Sequence, residues 1–235
     1  MNSRDNSPQA RPEDNFGRER HDAEAADSRS PRNPPIAAAI LAAGLSRRMG
    51  ALNKLVQELD GEPMVRRAAR QALASRCDRV LVVLGHEAHL VRAALSGLDV
   101  QFIDNPDYRE GLAASVRAAA GAVRPDEALM ICLGDMPQVD AGVIDRLIDA
   151  YRADVNGGSA YQPEFEGRRG NPVLWAPRAV ALLTSLRGDE GARALLKRLG
   201  GQVVAVPVQG GGIFMDIDTP QALQAARQQE KFPRT

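Results

Sequence analysis

The chain has 235 residues, 30 basic and 30 acidic side chains and 44% hydrophobic residues. That suits one ordinary domain with a substantial core, and the charge balance gives no pull toward nucleic acid or a membrane surface. Aromatics at 4% are too sparse for a platform that stacks single-stranded nucleic acid. No apolar segment approaches the roughly 20 residues that span a bilayer, and no secretory signal is evident, so the expected compartment is the cytoplasm.

Residues 1–35 differ from the rest. They hold Pro8, Pro12, Pro31, Pro34 and Pro35, charges of both signs, and almost no large apolar group besides Phe16. Nothing there offsets the entropy of ordering, which predicts a disordered N-terminal extension without an assigned function.

From Ile36 apolar runs alternate with helical patterns. Ile36 to Leu41 carries no charge and predicts a buried strand. Met64, Val65, Ala68, Ala69, Ala72 and Leu73 follow at helical spacing after Pro63. Arg79 to Leu84 is a second strand, Leu90 to Leu95 a helix, Val100 to Ile103 a third strand, and Leu112 to Val123 a helix. Ala128 to Leu133 is a fourth strand, followed by a helix through Val143 and Ile148. Strand–helix repetition of this kind predicts an α/β fold: three layers, a mostly parallel sheet with helices on both faces. Ligands of such sheets sit at the carboxyl ends of the strands. The two cysteines, Cys77 and Cys132, form no metal or redox motif and read as small core residues. His86 and His89 lack partners at metal spacing.

After the first strand the chain turns at Gly44, exposes Ser46, Arg47 and Arg48, and turns again at Gly50, with Asn53 and Lys54 beyond. Such a loop can aim backbone N–H groups and a cation at one phosphate; an ordinary strand-to-helix loop with solvated arginines reads the same residues. The glycine spacing is one residue too long for a P-loop, and no Gly-x-Gly-x-x-Gly fingerprint is present. Lys is confined to Lys54, Lys197 and Lys231. An otherwise Arg-rich chain places the compact ammonium beside its glycine loop, a choice that suits a tight phosphate contact.

After the third strand, Asn105-Pro106-Asp107-Tyr108 leads through Gly111 to a helix containing Ser115, which by itself is an Asn-Pro turn. After the fourth comes Gly134-Asp135-Met136-Pro137. Its carboxylate is well placed for a metal, because Asp140 already serves as the cap of the next helix. Beyond residue 153 the rhythm changes. Ser159 to Gln162 reads as a strand, Glu164 to Arg169 as an exposed hairpin, Gly170-Asn171-Pro172 as the lead into another strand, and Arg193 as part of a helix opening near Gly188. Trp175 is expected to anchor packing. Ile213 to Asp218 reads as a strand with Asp216 and Asp218 on one side and Ile217 on the other, before a helix capped by Thr219 with Pro220 in its first position.

Residues 41–54 resemble the signature of nucleotidyltransferases of molybdenum-cofactor maturation. Asn105 to Val116 is similar, nearly letter for letter, to the corresponding stretch of molybdenum-cofactor cytidylyltransferases in the MobA-like family. The resemblance covers residues 36 to about 228. It implies a Rossmann-like nucleotidyltransferase fold with a nucleotide-binding half (about 36–153), an acceptor-binding half (about 154–228) and a short tail (229–235). It implies nucleotide contacts by Leu41, Ala42, Ala43, Gly44, Ser46, Arg48, Gly50, Lys54, Asn105, Gly111, Ser115 and Gly134. Asp135 and Asp218 would hold Mg²⁺ or Mn²⁺; Arg48, Lys54 and Asp135 would carry catalysis; Asn171, Arg193 and Asp216 would meet the acceptor. Some family members have His where this chain has Asn171.

The implied reaction transfers CMP from CTP to molybdopterin-bound molybdenum cofactor and releases pyrophosphate. A molybdenum hydroxylase or its chaperone would be the partner, with no nucleic acid or membrane involved. Relatives that transfer GMP usually have Gly at the position of Ala43. GMP transfer, a different phosphorylated acceptor and a non-catalytic cofactor carrier stand as alternatives.

Overall fold

A computed structural model describes residues 1, 34–49, 52–187 and 192–231. The expectations for residues 2–33, for Gly50 and for the last four residues lie outside the described residues.

Strand β1 (Ile36–Ala42) is buried along its whole length. A small hairpin, β2 (Glu58–Leu59) and β3 (Glu62–Pro63), precedes α1 (Met64–Ala74). Then follow β4 (Arg79–Leu84), α2 (Ala88–Ala94), β5 (Gln101–Asp104), α3 (Leu112–Gly121), β6 (Ala128–Leu133) and α4 (Ala141–Ala153). The remainder is β7 (Ala160–Phe165), β8 (Arg168–Arg169), β9 (Val173–Trp175), α5 (Pro177–Leu183), α6 (Arg193–Leu199), β10 (Val203–Pro207) and α7 (Pro220–Lys231).

The main sheet runs β10-β7-β9-β6-β1-β4-β5, with β8 paired to β7. β1 lies between β4 and β6, parallel to both, with Leu41 beside Val83 and Leu133. A strand with neighbours on both edges and helices on both faces has no polar side, which is why Ile-Ala-Ala-Ala-Ile-Leu-Ala carries no charge. Its period-two alternation divides the interior. Ile36, Ala38, Ile40 and Ala42 join Val65 and Ala69 of α1 and Leu147 and Ile148 of α4. Ala37, Ala39, Leu41 and Ala43 join Val116 of α3, Trp175 of β9 and Leu183 of α5. Three layers result, as the sequence predicts.

A third, smaller cluster holds Met49, Leu59, Met64, Ile217, Leu223 and Ala226. It fastens α7 to the β2–β3 hairpin. It also pins two irregular segments, because Met49 follows Arg48 and Ile217 precedes Asp218.

The structure departs from the sequence reading in two places. Ile213 to Asp218 is not a strand: residues 211–214 form a 3-10 turn and 215–218 are irregular. The alternation survives because Ile217 is drawn into the third cluster while Asp216 stays exposed. And β10, which the sequence reading left unassigned, adds to the sheet edge parallel to β7. The antiparallel β9, between β6 and β7, makes the sheet mixed.

The loop after β1 has little room. A Cβ at Gly85 would lie 2.6 Å from the Cβ of Tyr108, 2.7 Å from the Cβ of Ala43 and 2.8 Å from its carbonyl oxygen. Gly85→Ala should therefore destabilise the protein by about 1–3 kcal/mol through overpacking, read as a lower urea midpoint at unchanged slope.

Candidate active site

The carboxyl ends of β1, β5 and β6 open on one side of the sheet, and the loops beyond them build the site. The first loop is shaped by Ser46. Its φ of 50° is uncommon for a residue with a side chain. Its carbonyl accepts from the Met49 N–H at 2.8 Å, and its Oγ accepts from the Lys54 N–H at 3.2 Å. Asn53, only 5% exposed, caps the next short turn through the Leu55 N–H at 3.0 Å. Together these aim Lys54 inward.

Asp135 arrives from the end of β6. The Gly134 N–H bonds the Leu41 carbonyl at 3.1 Å, and a Cβ at Gly134 would stand 3.1 Å from that oxygen. Asp140 caps α4 through the Val143 N–H at 2.8 Å, which leaves Asp135 free of capping. Asp218 comes from the far end of the chain. The Ile217 N–H donates to the Asp135 carbonyl at 3.0 Å and sets the two segments side by side.

The Lys54 ammonium donates to Asp135 Oδ2 and to Asp218 Oδ1. Arg48 Nη1 donates to Asp218 Oδ2 at 2.8 Å from an exposed position. Burial works against the charge of Lys54, but Asp135 and Asp218 outweigh it and raise its pKa. Burial likewise opposes ionisation of Asp218, and the Lys54 hydrogen bond and charge, with Arg48, hold its carboxyl below the usual range.

Since one ammonium reaches an oxygen of each carboxylate, one cation position serves both. Among the described residues no cluster of three or more His, Cys, Asp or Glu side chains offers a metal cage. Two hard oxygen donors suit Mg²⁺ or Mn²⁺ completed by phosphate and water, so these residues fit such an ion.

Two cavities flank this point. One, of about 360 Å³, is lined by Leu41, Ala43, Gly44, Lys54, Gly111, Ser115 and Asp135 among others. Gly111 begins α3 with φ 100°, a conformation that favours glycine. Ala43 is 2% exposed and in van der Waals reach of Gly85 and Tyr108. The second, of about 910 Å³, contains Asn171, Arg193 and Asp216, the three predicted acceptor residues. The cavities share Leu41, Leu112 and Leu133 as a common wall.

Of the predicted contacts, Ala42, Ser46, Arg48, Asn105 and Gly134 line neither cavity. The Ala42 side chain lies in the opposite core. Asn105 is buried, donating to Ser115 Oγ at 3.2 Å and accepting from the Asp107 N–H at 3.1 Å, so it holds Ser115 and the turn.

The sequence reading missed the cations of the larger cavity, Arg168, Arg169 and Lys197. Arg168 stacks on Phe214 at 4.4 Å, and Arg169 pairs with Glu164 at 3.6 Å. The Arg pair at the tip of the β7–β8 hairpin, just before Gly170-Asn171, was the available signal. Trp175 lines the same cavity, fully buried, and its Nε1 lacks a hydrogen-bond partner.

A mixed, mostly parallel central sheet with helices around it is the architecture of nucleotidyltransferases of Rossmann-like fold. The chain belongs to the family of the MobA-like NTP transferase domain, whose model matches residues 38–203. It is 31% identical over 214 residues to the purine catabolism protein PucB of Bacillus subtilis, covering 83% of this chain and 98% of that one. It is 27% identical over 194 residues to the nicotine blue oxidoreductase of Paenarthrobacter nicotinovorans, covering 81% and 95%. The crystal structure of Rv0371c from Mycobacterium tuberculosis superposes with TM-score 0.73 at 26% identity, covering 83% of this chain and 99% of that one. A second structure of Rv0371c is a complex with manganese, at TM-score 0.69 and 25% identity, covering 83% and 98%. No helix among the described residues is long and apolar enough to cross a membrane.

A carboxyl held below its unfolded value of about 3.9 stabilises the fold above that pH, and this contribution disappears as pH falls through the folded value. Asp218→Asn should therefore lower the urea midpoint at pH 7, and the gap to wild type should close as pH drops below about 4.

Proposed function

We propose that the protein transfers CMP from CTP to the phosphate of molybdopterin-bound molybdenum cofactor, releasing pyrophosphate and forming the cytosine dinucleotide. The observation that carries this reading is that Lys54 and Asp135, the first of them bonded to Asp218, line a smaller cavity that shares Leu41, Leu112 and Leu133 with a larger one. A nucleotide in one and a phosphorylated acceptor in the other would meet at the charged cluster. The manganese complex of Rv0371c supports a divalent cation, and the motif resemblance supports cytidine and molybdopterin.

The roles follow from chemistry. The acceptor phosphate attacks the α-phosphate in line, so no protein nucleophile is needed, and the chain contributes positioning and charge. The loop from Ala43 to Ser46 offers backbone N–H groups to the triphosphate. Arg48 and Lys54 neutralise the departing pyrophosphate. Ser115, steadied by Asn105, and Gly111 border the nucleoside cavity. Asp135 and Asp218 would hold Mg²⁺ or Mn²⁺, which when bound would supply Lewis-acid chemistry. In the larger cavity Arg168, Arg169, Arg193 and Lys197 favour an anionic acceptor, with Asn171 and Asp216 as polar contacts. A molybdenum hydroxylase or its chaperone would receive the product.

The deciding experiment measures pyrophosphate release with Mg²⁺ and molybdenum-loaded molybdopterin, using CTP, GTP, ATP and UTP in turn. Release with CTP is expected, and Ala43→Gly should raise the GTP rate relative to CTP by removing a methyl from the cavity lining. Release with GTP in place of CTP would keep the class of reaction and refute the base. Silence with every nucleotide, from protein that binds CTP, would refute the acceptor.

Asp135→Ala should lower kcat at least about 100-fold while the KM for CTP changes little, because its charge acts on the reacting phosphates. Near-normal turnover would remove Asp135 from the mechanism.

A further inference from the structure

We infer that Lys54 is the resting occupant of the divalent-cation position, and that a bound triphosphate makes the metal site by drawing the ammonium away. This rests on the reading of Asp135 and Asp218 as the metal carboxylates.

The charges of the resting site already balance. Lys54 donates to one oxygen of Asp135 and one of Asp218, and Arg48 takes the other oxygen of Asp218 at 2.8 Å. Two carboxylates face two cations. A dication entering this quartet gains no uncompensated charge and meets the ammonium at contact distance, inside a partly buried site where screening is weak. The Lys54 side chain is 13% exposed and Asp135 17%.

The triphosphate changes the balance. Lys54 also lines the smaller cavity together with Gly44, so its flexible stem already borders the space the phosphates would fill. Arg48 sits on an exposed arm of the same loop and can follow. Once both cations turn to phosphate oxygens, Asp135 and Asp218 face each other without compensation. Two such carboxylates repel, and a divalent ion relieves that repulsion while bridging to the phosphates. Nucleotide and metal then bind cooperatively, each strengthening the other by the same factor.

The test is Mn²⁺ titration of nucleotide-free protein, following loss of the free-ion paramagnetic resonance signal. Wild type should bind with a Kd weaker than about 0.1 mM, at the level of loosely held oxygen sites. Lys54→Met and Lys54→Gln, checked for native circular dichroism, should bind at least about tenfold more tightly. Asp135→Asn added to Lys54→Met should erase that gain. The inference is overturned if folded Lys54 variants bind Mn²⁺ no more tightly than wild type. It is also overturned, whatever the variants do, if nucleotide-free wild type binds Mn²⁺ at micromolar levels through Asp135. Those results would leave the carboxylates as metal ligands. Failure of every form to bind Mn²⁺ through Asp135, with or without CTP, would instead refute the carboxylate assignment and this inference together.

Discussion

Two carboxylates from opposite ends of the chain share one small space because a lysine stands between them. Asp135 and Asp218 would repel each other in so small a space, and the ammonium of Lys54 bonds to both. Breaking such a partly buried cluster by removing one member strands the others in a poorly solvated site. The lysine comes from the loop after β1, one aspartate from the end of β6 and the other from the segment before α7. The cluster therefore ties three parts of the fold to a single point, and that point is where the chemistry is proposed to occur.

What holds those parts in place is mostly not polar. β1 is buried on both faces, so its carboxyl end cannot move relative to β4 and β6 without disturbing both main cores. The third cluster then does for the irregular segments what the sheet does for the strands. Met49 and Ile217 are each next in sequence to a charged residue of the site, and both are nearly fully buried in the same small group. Their side chains point one way and the adjacent Arg48 and Asp218 reach the other. The charged residues are positioned by apolar neighbours, with the Ile217 N–H to Asp135 carbonyl bond setting the register.

The two cavities have different characters. The smaller is bounded by Gly44 of the loop after β1, Lys54 and Asp135. The larger combines apolar walls, including Trp175 and Phe214, with the cationic side chains of Arg168, Arg169, Arg193 and Lys197. The two cavities share Leu41, Leu112 and Leu133, so only these side chains stand on both. Neither cysteine belongs to this machinery. Burial pushes the Cys77 thiol up to about 11 and raises Cys132 further, which keeps both protonated and inert.

The sequence by itself determined the class of fold and the edges of most strands and helices, and it pointed to the strand ends as the place to look for a site. These depend on local signals: the uncharged run of β1, helical spacing in α1 and α4, the caps at Asp140 and Thr219, and glycines where the chain must turn. Motif resemblance extended that reading to the lysine and both aspartates. Only the tertiary structure decided which side chains meet. That Arg48 reaches Asp218, that Asn105 supports Ser115 from behind, and that Arg168, Arg169 and Lys197 join Arg193 around one cavity are long-range facts with no local periodicity to announce them. The same holds for the segment at Ile213 to Asp218. Its alternation suggested a strand, but its backbone bonds singly to Asn171 and Asp135 rather than along a strand, while the third cluster draws Ile217 inward. Local pattern says which way a side chain can point. Packing between distant parts of the chain says what it finds there.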